Sequence, residues 1–319
     1  MALSTALTAM FGIEHPVVLA PMGGVAGGAL AAAVSEGGGL GLIGAGRGDP
    51  EWLDREYARV RATSKPWGVG FLSWGVGPQV IESAIEQSPA VIALSFGDPT
   101  PFAATIRSAG IPLMVQVTST DEARVALDVG ANIVVAQGSE AGGHGGGRAT
   151  LPFVPAVVDL AGGIPVLAAG GIADGRGLAA ALVLGAAGAM IGTRFEATND
   201  ALITAAEAKA ITAAAAGDTT RGRAIDVAAG ADWPDRYPAR TLRNQFTDAW
   251  QGRERELQTD ATALAAYRAG VDRGDPDYAP IWAGESVDLI TELDAASALV
   301  ARIAEQAEHA IAAARNMTR

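Results

Sequence analysis

The residues best placed to do chemistry are Glu140-Ala141-Gly142-Gly143-His144-Gly145-Gly146, where one of the chain's three histidines stands among glycines. They directly follow the apolar run Ala131-Asn132-Ile133-Val134-Val135-Ala136-Gln137-Gly138. Glycines let backbone come close to a ligand, and an imidazole projecting from such a loop can donate a hydrogen bond or exchange a proton near neutral pH. A histidine kept for structure more often sits on an apolar helix or strand face. His144 therefore reads as functional, with loop stabilisation as the competing role. Glu140 has two open uses, orienting this loop or taking part in the reaction. Asp98, in Gly97-Asp98-Pro99, fits a substrate contact or an ordinary helix-starting turn.

Two more glycine turns are Ala168-Ala169-Gly170-Gly171-Ile172 and Met190-Ile191-Gly192-Thr193-Arg194. Each ends a strand candidate, where free backbone N–H groups and a nearby helix start can hold a dianionic phosphate, with the Thr193 hydroxyl as a further donor. Either turn alone is ordinary chain-reversal chemistry; together they point to a phosphate. Leu19-Ala20-Pro21-Met22-Gly23-Gly24 closes the first strand candidate with small residues that let a flat ring approach. Met22 offers that ring a polarizable surface or simply fills core. Gln116 and Gln137 end later strand candidates and can read ring carbonyls or amides; without a ligand they would face water. Gly37-Gly38-Gly39-Leu40-Gly41 follows a helix and precedes a strand, the wrong context for a pyrophosphate-binding fingerprint.

Positioning these loops on one rim requires a repeated scaffold. Apolar runs at Pro16–Ala20, Leu40–Gly44, Trp67–Leu72, Ala90–Ser95, Ile111–Val117, Ile133–Ala136, Pro165–Ala168 and Ala189–Gly192 give eight strand candidates. Helical segments separate them: Gly28–Glu36, Pro50–Ala62, Pro78–Gln87, Pro101–Ser108, Thr120–Val129, Pro152–Leu160 and Asp174–Leu184. Asp49 can cap with Pro50 at the first helical position, and Ser119 with Glu122 has capping-box spacing. Short, nearly continuous apolar strands joined by helical crossovers predict parallel strands buried on both sides, and eight units favour a closed α/β barrel, (β/α)8.

After Ala197 the rhythm changes. Ala201–Ala216 is strongly helix-forming, Gly217–Arg240 reads as irregular and Ala261–Arg268 resumes helix. The expected division is a barrel core over residues 1–197, a helical and irregular lid over 198–275 and a C-terminal segment over 276–319. That last segment contains the run Ser286–Met317, which would pack back on the barrel wall. In the lid, Trp233, Tyr237, Phe246 and Trp250 can close apolar surface over the active end or form a homodimer contact.

Composition narrows the chemistry. With 23 Lys and Arg against 35 Asp and Glu the formal charge is −12, and no basic cluster could track nucleic acid. The absence of cysteine excludes disulfides, thiolate catalysis and Fe–S ligation, and three histidines are too few for a convincing metal cluster. The start lacks a basic signal-peptide region and no clean apolar span of about 20 residues occurs. A soluble, cytoplasmic protein without nucleic-acid or membrane partners is the expectation.

Taken together, Ala20-Pro21-Met22-Gly23, Ala136 through His144, Ala169-Gly170-Gly171 and Ile191-Gly192-Thr193 resemble the nitronate monooxygenases, formerly 2-nitropropane dioxygenases, over Phe11–Phe195. Tyr278–Ser286 adds weaker support. The resemblance implies an FMN-dependent barrel with phosphate near Gly170, Gly171, Gly192 and Thr193, and ring near Ala20, Pro21, Met22 and Gly23. Gln116, Gln137, Gly142, Gly143 and Ala169 are further expected cofactor contacts. It places His144 beside the reactive ring face and implies a nitronate or nitroalkane and O2 as substrates, with nitrite and a carbonyl compound as products. The runner-up is an NAD(P)H-dependent FMN reductase acting on quinones or enoyl thioesters, because such enzymes share the barrel and much of the histidine motif.

Overall fold

The computed structural model describes residues 3–317, so residues 1–2 and 318–319 of the expected end segments lie outside the described residues. Eight strands form Val17–Leu19, Gly41–Gly46, Trp67–Leu72, Val91–Ser95, Leu113–Val117, Ile133–Gln137, Val166–Ala169 and Gly188–Ile191. From the second onward each pairs in parallel with the next, the eighth pairs with the first, and a bridge from Val18 to Leu40 joins the chain before the second strand to the first. The result is the α/β (β/α)8 barrel that the repeated unit predicts.

Two-residue alternation decides what each side chain does. Val18, Leu42, Val91, Ala93, Met114, Ile133, Val135, Leu167, Ala169 and Met190 form one buried cluster inside the barrel. Their neighbours, such as Val69, Ile92, Val115, Val134 and Ile191, join a separate cluster shared with the surrounding helices. The helix Ala6–Phe11, which the hydrophobic pattern does not announce, sends Leu7 into the inner cluster.

The helix start signals are met in different ways. Asp49 accepts from Trp52 N at 2.7 Å, with Pro50 at the first helical position. Ser119 accepts from Glu122 N at 3.1 Å, but the capping box stays half formed. The Glu122 carboxylate instead accepts from Thr118 N at 2.6 Å, Thr118 Oγ1 at 2.9 Å and Tyr237 Oη at 2.6 Å, which together outweigh one backbone bond.

After the eighth strand the chain makes only the single turn Thr193–Glu196 where an eighth outer helix belongs. That position is filled by Ala296–Asn316, which buries Leu299, Val300, Ile303 and Ala307 against helices Gly28–Glu36 and Gly175–Val183. The approach is close. A Cβ on Gly175 would lie 2.3 Å from Ala307 N, and one on Gly37 2.4 Å from Ser297 O.

Between these two elements the chain makes an excursion that leaves at Thr198 and returns at Asp294, the two residues forming a parallel bridge. Its first helix is confined to Ala205–Ala213, and Gly217–Arg240 is more regular than its composition implied. Thr219–Gly222 and Ala239–Leu242 pair antiparallel, helix Ala224–Ala229 lies between them, and Ala239–Arg240 pairs with Gly143–His144. The rim partner of Ala239–Arg240 lies some 95 residues earlier in sequence, so no local alternation marks this pairing. Phe246 packs with Tyr267 and Tyr278, and Trp250 joins the same apolar cluster. No helix of the described residues is long and apolar enough to cross a membrane.

Candidate active site

The same alternation that fills the barrel interior builds a cavity at the carboxyl ends of the strands. At the open end of the inner face stand Ala20, Gly70, Ser95, Gln116, Gln137, Ala169 and Gly192, and all seven line a cavity of about 280 Å³. Two glycines let the first loop fold inward: a Cβ on Gly70 would lie 2.4 Å from Pro21, and one on Gly44 would lie 2.3 Å from Met22 O. Pro21, Met22 and Gly23 thereby join the wall, as do Gly142, Gly143, His144, Gly170, Gly171 and Thr193. His144 and every expected cofactor contact border this one space, whereas Glu140 and Asp98 do not.

Several of these residues have capacity left for a ligand. Gln137 is buried and donates through Nε2 to His144 O at 3.0 Å, while its Oε1 has no partner. A buried amide oxygen without a donor is costly, and a ring N–H is a donor that would satisfy it. Thr193 Oγ1 accepts from Gly284 N at 3.0 Å, which leaves its own O–H to donate. Gly170 and Gly171 hold φ of +99° and +73°, backbone that a side chain would strain. A Cβ on Gly192 would protrude toward Met22 Sδ, 3.4 Å away. This donor set and these small residues fit a phosphate-bearing flavin.

The histidine loop is held from the excursion. Arg221 donates to Ser139 O at 3.2 Å, Ala141 O at 2.7 Å and Pro238 O at 2.6 Å, and Arg240 donates to Ser139 O at 3.1 Å. Burial, with Arg240 close by, lowers the Arg221 guanidinium to about 10. Glu140 lies outside the cavity wall and accepts from Thr150 N and Oγ1, both at 2.9 Å, so it pins the loop rather than His144. Asp98 accepts from Thr100 N at 2.9 Å and starts a helix, again off the wall.

Three residues around His144 were not singled out as site residues. Asp226 Oδ1 lies 2.9 Å from His144 Nε2, with the two side chains 3% and 8% exposed. Trp233 stacks on the imidazole at a centroid distance of 3.4 Å, and Trp282 approaches to 5.5 Å. Trp233 in turn meets Trp74 and Phe96, and Phe96 sits at φ +57° on the cavity wall. The acid within the apolar run Ala224–Ala229 was the available signal for Asp226, since a charge in such a run needs a buried partner. Glu196 also borders the cavity. Burial first, then Glu207, raises its carboxyl to about 8.

Comparison with known proteins places this geometry. The nitronate monooxygenase family model matches residues 4–74 and 74–306. The chain belongs to that family. It is a flavin-dependent oxidoreductase. A nitronate monooxygenase of Paraburkholderia phytofirmans is 31% identical, with 96% of each chain covered. FabK from Thermotoga maritima superposes with a TM-score of 0.87 at 32% identity, covering 98% of this chain and 99% of that one. A (3aS,4S,5R,7aS)-5-hydroxy-7a-methyl-1-oxo-octahydro-1H-indene-4-carboxyl-CoA dehydrogenase of Mycobacterium tuberculosis is 40% identical over 64% of this chain and 58% of its own length.

Proposed function

We propose that the protein uses FMN to oxidise compact alkyl nitronates with O2, releasing nitrite and a carbonyl compound, and that it also accepts neutral nitroalkanes. The observation that carries this reading is His144, whose imidazole stands on the wall of a cavity otherwise rich in small residues. FMN, when bound, supplies the electron acceptor and the reactivity toward O2. Gly170, Gly171, Gly192 and Thr193 would hold its phosphate, and Ala20, Pro21, Met22, Gly23, Gln116, Gln137, Gly142, Gly143 and Ala169 would enclose the rest. His144 removes the α-proton of a neutral nitroalkane and retains the proton on the ring; a preformed nitronate arrives without that proton and needs no base. Residues 198–275 act as the lid, because Asp226 and Trp233 reach the imidazole from that segment.

A second reading, NAD(P)H-dependent reduction of a quinone or enoyl thioester, draws on the similarity to FabK and to the carboxyl-CoA dehydrogenase. Anaerobic mixing separates the two. Ethyl nitronate should bleach the flavin, and air should then release nitrite. His144→Ala should depress turnover of neutral nitroethane far more than turnover of ethyl nitronate. Rapid bleaching by NADH or NADPH with none by the nitronate would establish the reductase instead.

A further inference from the structure

We propose that Asp226 is a positioning residue for His144, accepting the proton on Nε2 and so fixing the imidazole in the tautomer whose lone pair sits on Nδ1. The reaction assigned to that lone pair rests on the function proposed above; the positioning itself does not.

Asp226 is 3% exposed on the short helix Ala224–Ala229, among the apolar residues Ala224, Ile225 and Ala228. Its Oδ2 has no hydrogen-bond partner, and its Oδ1 meets only His144 Nε2, at 2.9 Å. An ionised carboxylate offers acceptors alone, so the proton between the two groups has to reside on Nε2. The opposite tautomer would set a nitrogen lone pair against a carboxylate in a dry site, leaving both unsatisfied. Nδ1 makes no hydrogen bond within the described residues.

Ring rotation is limited by other contacts. Trp233 covers one face at an interplanar angle of 7°, and Trp282 lies at 41°. Gln137 holds the His144 carbonyl, and the strand pairing of Gly143–His144 with Ala239–Arg240 fixes the backbone. Barrel and excursion therefore share the control of one imidazole: the barrel rim supplies the ring, and a residue 82 positions later in sequence selects which nitrogen is free.

With only three histidines in the chain, the test is direct. Holoprotein grown on 15N-histidine gives three imidazole spin systems, and His144→Gln identifies the relevant one. Wild type should show the proton on Nε2. In Asp226→Asn, which keeps the shape and removes the charge, and in Asp226→Ala, the Nε2-protonated population should fall. In kinetics, both variants should lose about tenfold or more in kcat for neutral nitroethane, with KM and turnover of ethyl nitronate altered much less. An unchanged tautomer in both variants overturns the proposal whatever the substrate proves to be. A shifted tautomer in a protein inert toward nitro compounds would uphold the positioning and remove only the proposed reaction.

Discussion

Trp233 lies face to face with His144, ring planes 7° apart and centroids 3.4 Å apart. A ring from the excursion thus covers one face of the imidazole that the barrel loop presents. The stack is itself packed from behind, since Trp74 and Phe96 approach Trp233 to 5.1 and 5.4 Å.

Removing that cover has a defined cost. An aromatic pair contributes about 1 kcal/mol beyond its area burial, so Trp233→Ala should lower kcat/KM several-fold by freeing the ring to rotate. Flavin content should stay the same, because the expected phosphate contacts lie on the barrel. The flavin-to-protein ratio measured beside kcat/KM checks both halves; a proportional loss of flavin would place Trp233 in cofactor retention.

Gly192 separates folding from cofactor binding. Its φ of −105° is open to any residue, and a Cβ there would meet Met22 Sδ at 3.4 Å and Ala20 Cβ at 3.6 Å, ordinary contacts. Gly192→Leu should therefore fold with a Tm close to wild type and yet lose most of its flavin on gel filtration. Undiminished flavin would move the phosphate away from this turn.

Glu196 makes stability depend on pH in an unusual direction for a carboxyl. Its folded value is raised to about 8 by burial, while the unfolded chain titrates near 4.5, so the folded state binds the extra proton between those values. Stability from this group is present in full below pH 4.5 and is lost as pH rises through about 8, at a slope approaching about 1.4 kcal/mol per unit. Glu196→Gln should flatten this decline and unfold at a higher denaturant midpoint than wild type at pH 8.5. Equal midpoints at that pH would show that ionising the carboxyl costs the folded protein nothing, and hence that burial does not raise it.

Much of this architecture was legible because it follows from local rules. Strands buried on both sides show as apolar runs, and the loops after them carry the glycines that a barrel mouth needs. Gln116 and Gln137 were identifiable because they end runs whose alternate residues, Met114 and Val135, point inward. The residues that sequence left hidden act across distance. Asp226 resembles any acid in a short helix until His144 is brought to it, and Thr219–Gly222 becomes a strand through a partner strand and, beyond it, a rim loop. The aromatic and proline-rich stretch Asp232–Pro238 did signal Trp233 and Tyr237, but not that one would stack on the histidine while the other reached Glu122.

The bridge between Thr198 and Asp294 has an implication for how such proteins diversify. Asn199 N also donates to Asp294 O at 3.0 Å, and Arg194 pairs with the Asp294 carboxylate, so the two ends of the excursion are fastened together on the barrel itself. To the barrel, everything between them is a closed loop, and the entropy of closing a loop grows only as the logarithm of its length. The excursion can vary in length between these ends while the barrel stays closed, so long as Arg221, Asp226 and Arg240 still reach the His144 loop. Change in the parts of the excursion away from those contacts can then alter access to the cavity without reopening the barrel.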